Sequence, residues 1–370
     1  KKWSFIILLT LAALITGFGI GFGLGWTSLE NENNSTPQQE NCAELPAFGL
    51  NMKNCWYPHL AEDWVFLNHG SYGAAPTLVL DGVEEYRFRS QVNADLFFRE
   101  ELVVLLDDTR RQLADYVGAD SENLVLVDDV TEAVNAVVRS LTLPPGTRVV
   151  RTSFTYLMVQ NAVDYMLESG KWEDVTLEVV EFDWPLPDEE AESILIDSLT
   201  NTTAKPVSFL LLDHISSSPM MVFDVAKIIA EAKTVQGENM LVFVDGAHAL
   251  GQIPLQLNDL TAKGVHYYCA NAHKWLSAER GAAFLHIAES RQAGIHPAVI
   301  SNRYTSVERG WPEEFNWRGT RDYSPLPGVQ SALEARAVVG DGEWRGYNDA
   351  LCKEVGVFFH SRWNTTVPYP

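Results

Sequence analysis

The chain has 370 residues, of which 46% are apolar and 21% are charged, and its formal net charge at pH 7 is −22. This composition is typical of a globular protein with room for two domains, and it excludes a disordered chain. The negative charge argues against nucleic acid or an anionic membrane surface as a partner, because phosphate groups are bound by clustered Lys and Arg.

An apolar segment without charged residues, Trp3–Trp26, lies at the start of the sequence. About 20 such residues span a bilayer as a helix. Two lysines precede the segment and glutamates follow it, which predicts a cytosolic N-terminus and a translocated remainder. We therefore expect residues 1–27 to be a single-pass membrane anchor, with the folded domain in the lumen or outside the cell. The alternative is a signal segment that is cleaved from a secreted protein.

Residues 28–60 form a polar tether and an N-terminal segment. Glycosylation sequons, which give weak support for lumenal exposure, begin at Asn33, Asn34, Asn201 and Asn364. Cys42 and Cys55 are close enough in sequence to pair in an oxidising compartment. We interpret Cys269 and Cys352 as ordinary buried thiols. No cysteine has neighbours at zinc-ligand spacing, so no metal site is expected.

The rest of the chain alternates short apolar runs with helical patterns. The predicted strands are Leu124–Val127, Arg148–Arg151, Leu177–Phe182, Val207–Leu212, Leu241–Val244, Val265–Tyr268 and Ala282–His286. The predicted helices between them include Thr131–Ser140, Tyr156–Glu168 and Val225–Thr234, whereas Ser121–Asn123 and Pro185–Glu192 are interpreted as surface loops. This alternation predicts an α/β fold with a mainly parallel sheet and helices on both faces.

Two of the predicted strands are followed by polar residues that can carry chemistry. The first runs into Asp245-Gly-Ala-His248, and the second runs through Asn271 into His273-Lys274. Ligands of open α/β sheets bind at the carboxyl ends of the strands. The sequence therefore predicts Asp245 and Lys274 at the same edge of the sheet. Each residue alone is also compatible with a turn Asp and a solvated Lys.

The strings VDGAHALGQIPL, from Val244, and YYCANAHKW, from Tyr267, resemble the class V aminotransferases, which are pyridoxal-5′-phosphate (PLP) enzymes of fold type I. The resemblance covers Phe66–Leu333 and is strongest to the isopenicillin N epimerase-like branch, which includes carbon–sulfur lyases. It implies a large PLP-binding domain over residues 61–335 and the beginning of a small C-terminal domain over residues 336–370.

The resemblance also implies roles for the central residues. Lys274 would bind PLP covalently through its amine and move the α-proton of the substrate. Asp245 would keep the ring nitrogen protonated, so that the ring can accept electrons. His248 matches the position that donates a hydrogen bond to the phenolic oxygen of the cofactor.

Other positions match the parts of the family that surround PLP. Thr131 and Glu132 would bind the phosphate with backbone N–H groups at a helix N-terminus, as that geometry favours. Asn271 and His273 match further phosphate contacts. Tyr156 matches the aromatic residue that stacks on the ring.

Some of the matched positions leave alternatives open. His214 and Ser216 would approach the ring, although a structural role for His214 is the alternative. Asn68 and His69 lie in a segment that resembles the substrate side of the cofactor site; its glycines and proline also fit a plain turn.

The string Gly319-Thr-Arg-Asp322 resembles a segment that reaches across a dimer interface to the neighbour's phosphate. Thr320 would be the donor, and Arg321 would contact substrate or the interface. We therefore expect a homodimer with shared active sites. The family binds the substrate carboxylate with an Arg of the small domain, but Arg336, Arg345 and Arg362 lie in no matching motif. Either the sequence is a fragment or the carboxylate is bound differently.

The expected function is a PLP-dependent reaction at the α-carbon of an amino acid or of a sulfur-containing derivative. Epimerisation, carbon–sulfur cleavage and transamination remain open, because they share the loss of the α-proton. Cysteine desulfurase is disfavoured, since Cys352 has no motif around it that would support a mobile nucleophile. The alternative is a catalytically inactive, membrane-tethered homologue with a binding or structural role.

Overall fold

The structure is a computed structural model that describes Cys42, residues 45–304 and residues 310–364. The predicted anchor Trp3–Trp26 and most of the tether lie outside these residues, as do the sequons at Asn33 and Asn34. Within the described ranges, no helix has both the length and the apolar character needed to cross a bilayer.

One seven-stranded sheet forms the centre of the fold, with the strand order β1-β7-β6-β5-β4-β2-β3. Strand β7 is antiparallel to both of its neighbours, and the other paired strands are parallel. The strands are β1 Leu124–Val127, β2 Arg148–Thr152, β3 Thr176–Val180, β4 Val207–Asp213, β5 Leu241–Asp245, β6 Tyr267–Asn271 and β7 Ala283–Ile287. All seven predicted strands are present, and the prediction of a mainly parallel α/β sheet is confirmed.

Helices surround the sheet and continue beyond its last strand. The helices are α1 Leu50–Trp56, α2 His69–Tyr72, α3 Thr77–Val92, α4 Ala94–Leu96, α5 Leu102–Val117, α6 Val130–Ser140, α7 Leu157–Glu168, α8 Asp188–Leu199, α9 Val225–Gln236, α10 Leu257–Lys263, α11 Val329–Val339 and α12 Asp341–Trp363. A π-helical turn, Phe97–Glu101, joins α4 to α5, and short 3₁₀ turns cover Ser121–Asn123, Gly237–Asn239, Glu289–Arg291 and Trp311–Asn316.

The two faces of the sheet bury separate apolar clusters. Leu210 and Val242 belong to one cluster with residues of α5, α9 and α11, whereas Phe209 and Phe243 belong to the other with residues of α6 and α7. Successive residues of a strand point to opposite faces, so the continuous apolar runs in β4 and β5 serve both clusters. Helices therefore cover both faces, as the alternation predicts.

The predicted loop Pro185–Glu192 is wrong in its second half, because α8 begins at Asp188. Pro187 immediately precedes the helix and three acidic residues fill its first turn. Proline at the start and acids in the first turn are signals of a helix N-terminus, since the acids complement the helix dipole. The predicted loop Ser121–Asn123 is a 3₁₀ turn.

A small apolar cluster joins α1 to the end of α11 and the beginning of α12. Cys42 and Cys55 form the disulfide that their spacing allowed, and the adjacent Trp56 contacts Trp344 edge to face. The interpretation of Cys352 as a buried thiol is wrong, because it lies on an exposed face of α12, whereas Cys269 is buried. The predicted domain boundary after residue 335 falls inside α11, and the division into large and small domains stays a prediction.

Candidate active site

The carboxyl ends of β4, β5 and β6 place three chemically active side chains in a row. Asp213 pairs in register with Asp245, and Asp245 pairs with Cys269. Side chains at paired positions of neighbouring strands point to the same face of the sheet. The row lies at the edge of the face that α6 and α7 cover. Asp245 is buried, and one of its carboxylate oxygens accepts a hydrogen bond from the Ala247 N–H at 2.8 Å.

Lys274 lies beside this row, in the loop that follows β6. Its Nζ atom is 3.0 Å from Nε2 of His248. Burial lowers the pKa of Lys274, while the negative charges of Asp245 and Asp213 act in the opposite direction. Burial, together with the positive charge of Lys274, lowers the pKa of His248 to about 3. His248 is therefore neutral at pH 7, and the structure brings the half-buried Lys274 together with the buried Asp245 and His248.

Asp213 belongs to this site but was given no role by the sequence analysis, which assigned only the two polar residues after it. Burial raises the pKa of the Asp213 carboxyl well above its usual value, and the nearby charge of Asp245 raises it further. Its Oδ2 atom is buried and has no hydrogen-bond partner within the described part of the chain. The signal was present in the sequence, because β4 and β5 both end in Asp after an apolar run.

The N-terminus of α6 approaches the same edge. Asp129 is the N-cap and accepts the N–H of Glu132 at 2.8 Å, while the Val130 N–H donates to Asn271 Oδ1 at 3.1 Å. The prediction that Glu132 offers its N–H to a phosphate is therefore corrected, because the cap already occupies that donor. The side chain of Asn271 likewise accepts a hydrogen bond from the start of the helix, at the Val130 N–H. Thr131 is exposed in the first turn, so its side chain is accessible to a ligand.

Two arginines balance the acidic residues at this helix start. The buried Arg318 pairs with Glu132 at 2.7 Å and lies 3.2 Å from Asp128. Arg321 pairs with the same Asp128, and its guanidinium lies 5.1 Å from the centre of the Tyr323 ring. Arg321, which was predicted to contact substrate or the interface, is therefore engaged within its own chain. No sequence motif indicated that Arg318 would pair with these acids; it only lies two residues before Thr320.

The predicted substrate-side segment covers the loop that carries Lys274. A Cβ atom added to Gly73 would lie 1.6 Å from the carbonyl oxygen of His273, and one added to Gly70 would be in ordinary contact with His248 and Trp275. The ring of His69 lies 6.1 Å from that of Trp275, centre to centre. Only glycine permits the approach at residue 73, so its presence reflects close packing and not a plain turn.

Three further residues of the predicted site differ in how exposed their side chains are. His273 is half-buried; its Nδ1 has no hydrogen-bond partner among residues 45–304 and 310–364, and burial lowers its pKa to about 4. Asn68 is exposed just before α2. Tyr156 is 53% exposed at the start of α7, so its ring is accessible to a ligand.

The segment after β4 is mainly structural. His214 Nδ1 lies 2.9 Å from the Tyr268 hydroxyl, and burial lowers its pKa to about 4. Ser216 is fully buried, donates to the Pro219 carbonyl at 2.6 Å and accepts the Met221 N–H at 3.0 Å. A local turn therefore uses the Ser216 hydroxyl as both donor and acceptor, and its approach to a cofactor stays a prediction.

Arg336 connects the two loops of the site from beneath. Its Nη2 atom donates to the carbonyl oxygens of Gly251, at 2.5 Å, and Trp275, at 2.6 Å. The guanidinium is buried and lies 4.6 Å from the centre of the Trp344 ring. These contacts exclude Arg336 as an exposed receptor for a substrate carboxylate.

Comparison with known proteins places this arrangement among related chains. The family model described as "Aminotransferase class-V" matches residues 66–320. A probable chloroplastic L-cysteine desulfhydrase of Arabidopsis thaliana is 28% identical over 85% of this chain and 67% of that protein. Isopenicillin N epimerase of Amycolatopsis lactamdurans is 30% identical over 75% and 71%. The chain spans about two thirds of the length of the relatives it matches.

Two solved structures of the enzyme C-DES share the fold. One holds glycine covalently linked to the PLP cofactor; its TM-score is 0.70, its identity 22%, and the match covers 82% of this chain and 78% of that chain. The other is described as a cystine C–S lyase in complex with cysteine persulfide. It has a TM-score of 0.66 at 23% identity, over 77% and 74% of the two chains.

The close approach at Gly73 yields a test of the packing. We expect Gly73→Ala to destabilise the chain by about 2 kcal/mol or more, because a Cβ there meets the His273 carbonyl and residue 73 has φ +65°. Gly170→Ala is the matched control, since Gly170 has φ +70° and open space around it. The measurement is urea unfolding of both variants. Equal losses in the two variants would show that the contact with residue 273 is unimportant.

Proposed function

The chain belongs to the aminotransferase class-V family, and we propose that it is a PLP-dependent lyase that cleaves the carbon–sulfur bond of a cysteine-type amino acid. The observation that carries this proposal is the half-buried amine of Lys274, 3.0 Å from a neutral His248 and near the carboxylate of Asp245. The relatives support the class of substrate, since they include cysteine desulfhydrases and a hercynylcysteine sulfoxide lyase.

The residues at the site fit PLP. The Lys274 amine is a nucleophile whose pKa is lowered by burial, so it loses its proton to become the form that reacts with an aldehyde more readily than an exposed lysine does. Among the described residues, Asp245 makes no hydrogen bond to a cation, so its carboxylate can hold a protonated ring nitrogen. The start of the eleven-residue helix α6, with Thr131 exposed, is suited to a phosphate group. Tyr156 is accessible for stacking.

Each residue then has a defined task. Bound PLP supplies an electron sink for the α-carbon of an attached amino acid. Lys274 takes the proton from that carbon, and the buried surroundings favour its neutral, basic form. Asp245 would hold the charge of the ring nitrogen, and the neutral His248, whose Nε2 lies 3.0 Å from the lysine amine, would donate a hydrogen bond to the phenolic oxygen.

The balanced reaction consumes water. The α-proton leaves to Lys274, the Cβ–S bond breaks with its electron pair on sulfur, and the sulfur leaves as a thiol or hydrogen sulfide. Hydrolysis of the remaining three-carbon unit gives pyruvate and ammonia. Desulfuration by an enzymic cysteine is not supported by Cys352, because this residue lies within the long helix α12 and not on a loop.

Epimerisation is the second candidate, because the relative with 30% identity is an isopenicillin N epimerase. It also begins with removal of the α-proton. The two reactions separate by their products, since elimination releases pyruvate and sulfide whereas epimerisation changes only the configuration at the α-carbon. Incubation with L-cysteine, L-cystine and other amino acids in deuterated water distinguishes them.

We expect Lys274→Ala to abolish the absorbance of covalently bound PLP and to reduce pyruvate formation by at least about 10³-fold, because the variant lacks both the attachment point and the base. Borohydride reduction of the wild-type protein should attach PLP to the peptide that contains Lys274, as mass spectrometry would reveal. Lys263→Ala, on α10, is the control and should keep the label. A label on a lysine other than Lys274 would contradict the assignment.

We also propose that the active form is a homodimer with shared sites. Thr320 is exposed next to a cleft lined by Arg87, Phe98 and Arg321, where a second copy can reach it. The segment before α2 exposes Trp64, Val65 and Leu67 by 67–80%, and contiguous exposed apolar side chains support an interface.

The dimer is testable by mixing two inactive variants. A Lys274→Ala protomer and a Thr320→Ala protomer should together recover about a quarter of wild-type activity, since half of the dimers are mixed and each then has one intact site. Sedimentation reports the assembly. If the mixture stays as inactive as its components while dimers form, Thr320 does not act across the interface.

For location, we propose that the chain is membrane-anchored through Trp3–Trp26 with its catalytic domain lumenal or extracellular. The Cys42–Cys55 disulfide supports this topology, because such bonds persist in oxidising compartments. The sequon at Asn201 lies on an exposed turn, where a glycan is accessible. Protease protection on microsomes, with glycosidase treatment, tests the proposal. Digestion of the domain without detergent, and no shift with glycosidase, would place it in the cytosol.

A further inference from the structure

A second buried carboxyl lies beside the one that the cofactor requires. Asp213 and Asp245 are paired residues of the neighbouring parallel strands β4 and β5, and they are only 4% and 7% exposed. Neighbouring strands lie about 4.8 Å apart, so the two side chains leave the sheet side by side on one face. The proposed role at the ring nitrogen explains Asp245 but leaves Asp213 without a role.

The surroundings of Asp213 are poor in positive charge. From β5 it faces Asp245, from β6 the Cys269 thiol, from the following loop the Lys274 ammonium, and from the turn before α7 the Thr155 hydroxyl, which hydrogen-bonds the carboxyl. No arginine or lysine forms an ion pair with Asp213 among the described residues. Its Oδ2 atom has no hydrogen-bond partner there.

The two acids therefore compete for one compensating charge. Lys274 is the cation that acts on both carboxyls, while the Ala247 N–H donates to Asp245 alone. Two carboxylates this close in a buried site do not both ionise at ordinary cost, so one of them keeps a proton. Asp245 is suited to carry the negative charge, because its carboxylate accepts the Ala247 N–H, and Asp213 is suited to keep the proton, because its buried Oδ2 atom has no partner among the described residues.

We propose that Asp213 is a positioning residue that holds a neutral carboxyl beside Asp245, so that the pair carries one negative charge, located on Asp245. The arrangement leaves Lys274 and Asp245 as a balanced pair before PLP binds. The consequence for the cofactor rests on the proposed function, whereas the shared proton belongs to the protein alone. A second ionised acid would overcompensate Lys274 and raise its pKa, so a neutral Asp213 also keeps the lysine reactive.

The first test uses the full chain without added cofactor. The pKa of Asp213 is higher in the folded state than in the unfolded state. The contribution of Asp213 to stability is therefore complete at low pH, and it is lost as the pH rises from the unfolded-state pKa through the folded-state pKa. Asn has no proton to lose. The melting temperature of Asp213→Asn minus that of the wild type should therefore increase with pH. A difference that is constant, or that decreases with pH, would overturn the proposal.

A matched background isolates the pair. In Asp245→Asn the neighbouring charge is absent, so the same difference, measured between the double variant and Asp245→Asn, should increase less with pH. Should Asp213→Asn fail to fold, infrared spectra replace it: the carbonyl stretch of a protonated carboxyl should be present in the wild type at neutral pH and persist in Asp245→Asn. Its absence from both proteins would refute a neutral Asp213.

The second test adds PLP. If Asp245 carries the charge, the absorbance of bound cofactor should depend on pH through Asp213 in the wild type and lose that transition in Asp213→Asn. A pH profile that is the same in both proteins contradicts the link to the cofactor. Failure to bind PLP at all refutes the proposed function but leaves the melting and infrared results, and hence the shared proton, intact.

Discussion

The central constraint in this molecule is the charge balance at the carboxyl ends of three adjacent strands. A half-buried lysine amine lies there near two buried carboxyls, and each charge that is removed from water must be compensated locally or neutralised by a shift in pKa. The register of β4, β5 and β6 sets these distances. A slip of one residue in β5 would turn Asp245 to the opposite face and remove the partner of Lys274.

Charges are also compensated locally at the periphery of the site. Asp128 and Glu132 at the start of α6 would repel an anionic ligand, yet Arg318 and Arg321 engage both acids. The helix end thereby keeps its partial positive charge available near Thr131. Because Arg318 and Arg321 flank Thr320, the segment that is proposed to reach a partner subunit also neutralises its own helix start.

Sequence patterns predicted the parts of the site that periodicity and strand ends determine. Apolar runs that stop at Asp245 and before Lys274 located both residues on one edge. Sequence patterns are less informative where a local hydrogen bond decides the role of a polar group: Ser216 closes its own turn, and Asp129 accepts the N–H of Glu132. Asp213 and Arg336 were missed for another reason, since their roles depend on residues that are distant in sequence.

Arg336 links two catalytic loops with one guanidinium, because it binds the carbonyl beyond His248 and the carbonyl just after Lys274. The two loops are therefore held together, and so is the separation between the lysine and the imidazole. The segment that carries Gly70 and Gly73 packs against these same loops, so one buried guanidinium fixes the relative positions of three parts of the site that are distant in sequence.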